Sequence, residues 1–204
     1  MSELTQLYDQ VRVCQKCELA KGRTNAVPGE GPENAEIMFI GEAPGFHEDR
    51  QGRPFIGSAG KLLDELLATI GIKREQVYIG NVIKCRPPQN RDPLPEELAA
   101  CKAYIEKQIE LIKPRVIITI SRFAMAPWFP DKKISEIHGK PKKFGGLVVL
   151  PMYHPAAALH QPSLKQVLVE DFKRVPQILQ EMASLKEEAE EKKTPPPQQL
   201  SLFG

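Results

Sequence analysis

Four short runs of the chain are continuously apolar: Glu36–Ile40 (EIMFI), Val77–Ile83 (VYIGNVI), Arg115–Ile120 (RVIITI) and Leu147–Leu150 (LVVL). They are rich in Ile and Val and do not alternate apolar with polar residues, which is the pattern of strands covered on both faces, as in parallel sheets. Between them the apolar spacing becomes helical. Ser58–Ile70 (SAGKLLDELLATI) keeps an apolar face and stops at Gly71, a C-cap. Asp92 is placed to cap a helix that starts at Pro93, carries Pro95, Glu96 and Glu97 in its first turn, and runs to Ile112. A helix precedes the first strand, and Ser163–Met182 reads as a final helix disturbed at Pro176. Strands alternating with helices predict an α/β fold, a parallel sheet with helices on both faces.

The pattern fails after Leu185. KEEAEEKKTPPPQQ is charged, then rich in Pro and Gln, and cannot bury a core, so residues 185–204 are expected to form a disordered tail behind a single domain of residues 1–184. The tip, QLSLFG, is apolar again, and a solvated tail has no structural need for Leu200, Leu202 and Phe203.

The net charge of +2 divides unevenly: residues 181–204 carry −2 and residues 1–180 carry +4. Five lysines face two acids between Asp131 and Lys143, which suits either a solvated lysine loop or a DNA partner. No run approaches the ~18 apolar residues of a membrane helix. The opening MSELTQLYDQVRV lacks the apolar core of a secretory signal, so a cytoplasmic protein is expected. Four cysteines in 204 residues are too few for a disulfide scaffold.

Ligands of open parallel sheets bind beyond the carboxyl ends of the strands. Here those ends collect Gly41-Glu42-Ala43-Pro44-Gly45, then Asn81 followed by Lys84-Cys85-Arg86, then Ser121-Arg122, then Met152-Tyr153-His154-Pro155. Each has an ordinary explanation as a turn or a satisfied loop residue. Together, turn N–H groups, an amide and an imidazole on one edge suit an anionic or carbonyl-rich small ligand.

The cysteines are spaced Cys14-x2-Cys17, with Cys85 after the second strand and Cys101 on the next helix. A CxxC pair is a common start of a metal site, and here it is expected in the N-terminal helix. All four thiols can meet and leave none over. Ligand type does not separate zinc from a [4Fe–4S] cluster, although the unpaired second half leans toward a cluster.

Gly41–Gly45, Glu48-Asp49, Gly52–Gly57 and Ala59-Gly60 together resemble the first motif of the iron–sulfur, family-four uracil-DNA glycosylases. Asn81–Pro88, Asn90–Pro93 and Pro95–Glu97 are similar to the middle segment of that family, and His154-Pro155-Ala156-Ala157 to its last motif. The resemblance spans residues 5–180 and implies a three-layer α/β/α sandwich around a four-stranded parallel sheet, with a structural [4Fe–4S] cluster on Cys14, Cys17, Cys85 and Cys101. It also implies excision of uracil from DNA by cleavage of the N-glycosidic bond, in a monomer.

The resemblance assigns roles residue by residue. Phe55, expected on an exposed loop, stacks on the uracil ring. Asn81 reads the N3–H and O4 edge. His154 donates toward O2 and stabilises the departing base. Gly41, Ala43 and Gly45 form the binding turn, and Glu48 stands where a thymine methyl would sit. Ala43 replaces the aspartate with which classical uracil-DNA glycosylases position water, leaving Glu42 as the nearest candidate. Lys84, Arg86 and Arg91 are expected on phosphates, and Leu159 or His160 as the probe that fills the vacated stack. A sister group crosslinks to DNA through a histidine that residues 86–97 lack. Gln199-Leu200-Ser201-Leu202-Phe203 resembles the peptide by which bacterial repair proteins bind the sliding clamp, which points to a bacterial source. The competing expectation is a non-catalytic or DNA-crosslinking uracil-DNA-binding protein with a structural metal.

Overall fold

The apolar runs pair into one sheet. The structure, a computed structural model, describes the backbone of residues 1–191 and the side chains of residues 1–184. In chain order its elements are α1 (Glu3–Arg12), α2 (Leu19–Gly22), β1 (Ile37–Gly41), α3 (Phe46–Gln51), α4 (Ser58–Thr69), β2 (Tyr78–Asn81), α5 (Pro95–Ile112), β3 (Val116–Thr119), α6 (Arg122–Met125), α7 (Ile134–Ile137), β4 (Lys142–Phe144), β5 (Leu147–Pro151), α8 (Pro155–His160), α9 (Ser163–Phe172) and α10 (Val175–Glu191). The strand order is β2-β1-β3-β5-β4. The first four strands are parallel, and Gly41 lies level with Asn81 as Thr119 does with Pro151, so their carboxyl ends share one edge.

Alternate residues of each strand serve opposite cores. Ile37 and Phe39 pack with Leu63, Leu66 and Phe172 on one face. Met38 and Ile40 pack with Leu4, Leu7, Tyr104 and Ile105 on the other. This is the expected α/β/α sandwich.

The sheet has five strands rather than the expected four. The addition, β4, pairs antiparallel with β5 across a turn in which Gly145 has φ +61°. Lys142 and Lys143 made this segment read as a loop. They are exposed on an edge strand, where charge discourages further pairing.

Three boundaries also moved. Helix α5 starts at Pro95, because the Glu97 carboxylate accepts the Leu94 N–H at 2.8 Å and caps the helix from within. Asp92 pairs with Arg122 instead. The final helix is broken at Lys173–Arg174, leaving Pro176 in the first turn of α10, where its missing N–H costs little. Helix α10 continues to Glu191, into the segment expected to be tail. The Gln199–Phe203 peptide lies outside the described residues. Among the described residues no helix is long and apolar enough to cross a membrane.

Candidate active site

At the carboxyl edge of the sheet lies a cavity of about 380 Å³, walled by Glu42, Gly45, Glu48, Phe55, Asn81 and His154 among others. That size falls in the range of small-molecule sites, roughly 300–1,000 Å³. Strands β1 and β2 carry Gly41 and Asn81 to it side by side. A Cβ at Gly41 would press on Asn81 Oδ1 and come within 2.8 Å of the Phe55 ring, so only glycine leaves both side chains their places. Asn81 is 2% exposed, and its Oδ1 is buried with no hydrogen-bond partner among the described residues. An acceptor left bare in a cavity wall is costly unless a ligand satisfies it.

Phe55 is buried rather than exposed as expected. Its φ of +50° is rare for a bulky side chain and costs on the order of 1–3 kcal/mol. The turn is clamped on both sides. Arg74 donates to the carbonyls of Pro54 (2.5 Å) and Phe55 (3.0 Å), while Glu48 Oε1 accepts the N–H groups of Ile56 and Gly57, each at 3.0 Å. Gly60 lets the Phe55 carbonyl sit against the start of α4, where any Cβ would collide with it. The ring stacks on His154 at 5.5 Å with 26° between planes. Arg74 has no motif around it and escaped sequence reasoning.

His154 is the N-cap of α8, and its Nδ1 accepts the Ala156 N–H at 3.0 Å. Burial lowers its pKa to about 4, against a small opposing pull from Glu48. The ring is therefore neutral at pH 7, and with Nδ1 accepting, its proton sits on Nε2 as a donor. Glu42 is half-buried in the same wall. Burial raises its pKa, helped by the charge of Asp92 and opposed by Arg122.

Lys84 is not at the surface. It is 1% exposed, and its Nζ donates to the Asn81 carbonyl (2.8 Å) and to Gln108 Oε1 (2.7 Å). Gln108 Nε2 in turn donates to the Pro28 carbonyl. This buried strut steadies the residue that sequence reasoning placed at the site, and it removes Lys84 from any phosphate contact. Burial also lowers the Lys84 pKa to about 8. Arg91 borders the cavity but is held bidentately by Glu97, at 2.6 and 2.9 Å. Arg86 donates to Asn90 Oδ1. Leu159, 47% exposed, and exposed His160 project from the far end of α8.

The CxxC lies in the turn after α1, not within the helix. Cys14 and Cys17 pack onto the cluster of apolar residues that contains buried Cys85 and Cys101. The thiols lie within electrostatic reach of one another: Cys85 of Cys14 and Cys17, and Cys101 of Cys85 and Cys17. Burial raises the Cys85 pKa and pushes that of Cys101 to about 11, opposed by Arg23 and Lys84 respectively. Among the described residues no group of three or more His, Cys, Asp or Glu side chains is arranged to hold a metal ion.

The family model described as the uracil DNA glycosylase superfamily matches residues 28–179. A type-4 uracil-DNA glycosylase of Saccharolobus solfataricus is 49% identical over 189 residues, covering 88% of each chain. That of Sulfurisphaera tokodaii is 47% identical, covering 86% of this chain and 84% of its own. That of Thermotoga maritima is 46% identical, covering 81% and 89%. The two ends of the sheet edge, Asn81 and His154, thus lie within a matched stretch that also holds Phe55 and Glu42, and the chain belongs to the uracil DNA glycosylase superfamily, in its type-4 group.

Proposed function

We infer that the protein removes uracil from DNA by hydrolysing the N-glycosidic bond. The observation that carries this is the pairing of a bare buried acceptor, Asn81 Oδ1, with a neutral imidazole donor, His154, in one cavity. A base must leave the stack to reach such a cavity. Asn81 accepts from uracil N3–H and donates to O4, whereas cytosine offers the reverse pattern and would strand buried groups at about 1–3 kcal/mol each. Phe55 presents a stacking surface, worth about 1–3 kcal/mol.

As the C1′–N1 bond breaks, its electron pair leaves with the base. His154 Nε2–H donates to O2, where negative charge collects, and one such preorganised donor is worth roughly 10²–10³ in rate. Water, positioned by Glu42, then bonds to C1′ and gives up a proton to solvent, and the uracil anion takes one up as it leaves. Glu48, fixed by two backbone N–H groups, is a rigid wall against a thymine methyl. A pure binding module has no use for a leaving-group stabiliser.

Cys14, Cys17, Cys85 and Cys101 would hold a [4Fe–4S] cluster, whose part would be structural. What supports this is that the four free cysteines lie in or against one apolar cluster and form an all-thiol donor set that leaves none over. Arg86, Leu159 and His160 contact DNA, while Arg91, neutralised by Glu97, borders the cavity without a free charge for a phosphate. The Gln199–Phe203 peptide tethers a monomeric, cytoplasmic, nucleoid-associated enzyme to the bacterial sliding clamp.

The test is a uracil-containing oligonucleotide treated with the protein and then with alkali to cut abasic sites. Cleavage is expected, with a large loss in His154→Ala and gain of cytosine excision in Asn81→Asp. No cleavage by protein containing iron and sulfide would overturn the assignment.

A further inference from the structure

Large apolar side chains are seldom exposed among the described residues, and two of them lie on elements that reach the cavity, α8 and α3. Leu159 is one. The other is Phe46, 47% exposed, the first residue of α3 and the neighbour of cavity-lining Gly45. Two guanidinium groups lie over the Phe46 ring, Arg86 at 5.1 Å and Arg50 at 5.7 Å, and His47 meets it edge-on at 5.4 Å. Arg86 adjoins Pro87, which also borders the cavity.

Nearby arginines are committed to carboxylates: Arg53 to Glu30, Arg91 to Glu97 and Arg122 to Asp92. Arg50 and Arg86 have no carboxylate partner among the described residues; Arg86 bonds only the neutral Asn90 amide oxygen. An exposed aromatic overlaid by two guanidinium groups that have no carboxylate partner among the described residues fits a ligand with a flat apolar face and a negative charge beside it. A nucleotide of an unpaired strand has both, and stacks on aromatic rings or on guanidinium planes.

We propose that Phe46, Arg50 and Arg86 form a docking platform for the strand that carries the uracil. A base flanking the flipped nucleotide stacks on Phe46, and its phosphate lies against Arg50 and Arg86. The platform rests on the glycosylase reading, since it borders the cavity that takes the uracil. Because only an unpaired base can stack there, it favours single-stranded uracil DNA.

The experiment compares wild type, Phe46→Ala and Phe46→Tyr on a single-stranded uracil oligonucleotide and on its duplex. Phe46→Ala is expected to raise KM on the single strand about tenfold with kcat unchanged, while Phe46→Tyr restores it. Arg50→Gln should reduce the salt dependence of binding by about one phosphate contact. A second measurement uses 2-aminopurine placed 5′ or 3′ of an uncleavable 2′-fluorinated deoxyuridine. Its fluorescence is quenched by wild type at one of the two positions and not by Phe46→Ala. Unchanged KM and quenching in Phe46→Ala overturn the platform, as does a rise confined to the duplex or a fall in kcat alone. Absence of cleavage by wild type would instead overturn the glycosylase reading.

Discussion

Gly41 and His154 show how single atoms set the site. At Gly41 the missing Cβ is the space in which Asn81 Oδ1 and the Phe55 ring meet. Gly41→Ala should therefore lower kcat/KM by about 100-fold, the usual effect of an ångström-scale misplacement. An unaltered rate, measured beside a normal melting curve, would show that both side chains can give way. His154 links the site to stability. Its imidazole takes a proton near 6.5 when unfolded but only near 4 when folded. As pH falls through 6.5 the unfolded chain binds the proton first, so the contribution of His154 to stability drops between pH 6.5 and 4 and is level on either side. At ~1.4 kcal/mol per pKa unit the loss is on the order of 3 kcal/mol. Thermal melts from pH 7 to 4 should fall more steeply for wild type than for His154→Gln, and parallel slopes would contradict a buried neutral imidazole. Asn81, Phe55 and His154 were legible because each sits in a recognisable motif. Lys84 was misread because a lysine beside Cys85-Arg86 looks like surface charge. Its burial depends on Gln108, which arrives from α5 across 24 residues.

The segment between α3 and α4 shows what a motif conceals. GRPFIG identified the segment, but nothing local told that Phe55 adopts a positive φ and turns inward. That conformation is held by Arg74, in a 3-10 turn before β2, which is itself held by Glu30 and Asp64. A planar fork can reach two carbonyls and two carboxylates together, and an ammonium cannot. Arg74→Lys is thus expected to raise KM for uracil DNA about tenfold, comparable to the loss of one stacked base, with kcat much less affected. A lower melting temperature with KM intact would reduce Arg74 to a structural brace. The same limit explains β4: three residues, two of them lysine, carry no apolar run, and only pairing with β5 makes them a strand.

At the scale of the whole molecule the sheet separates chemistry from scaffolding, and one short stretch joins them. Asn81 ends β2 at the cavity, and Cys85 follows after a turn in which Val82 N–H donates to Gly41 at the end of β1 and Ile83 N–H to Glu42 just beyond it. With a cluster bound, Cys85 ties that turn to Cys101 on α5 and to the pair Cys14 and Cys17 after α1, elements distant in sequence. The order of strands and helices could be read from apolar periodicity, whereas the meeting of the four cysteines was expected from the resemblance, because spacing alone does not say which turns meet. The cluster should therefore act on base discrimination as well as on stability. Cys17 is remote in sequence from Asn81 and shares no strand with it, so a cluster held by both Cys17 and Cys85 would give Cys17→Ser a direct path to the segment that carries the amide. The variant is expected to lose iron and visible absorbance and to melt at lower temperature. It should also excise uracil more slowly, with its preference for uracil over cytosine weakened. Full iron content in Cys17→Ser would remove that cysteine from the ligand set, and lost iron with unaltered selectivity would show that the Lys84–Gln108 strut alone holds Asn81 in place.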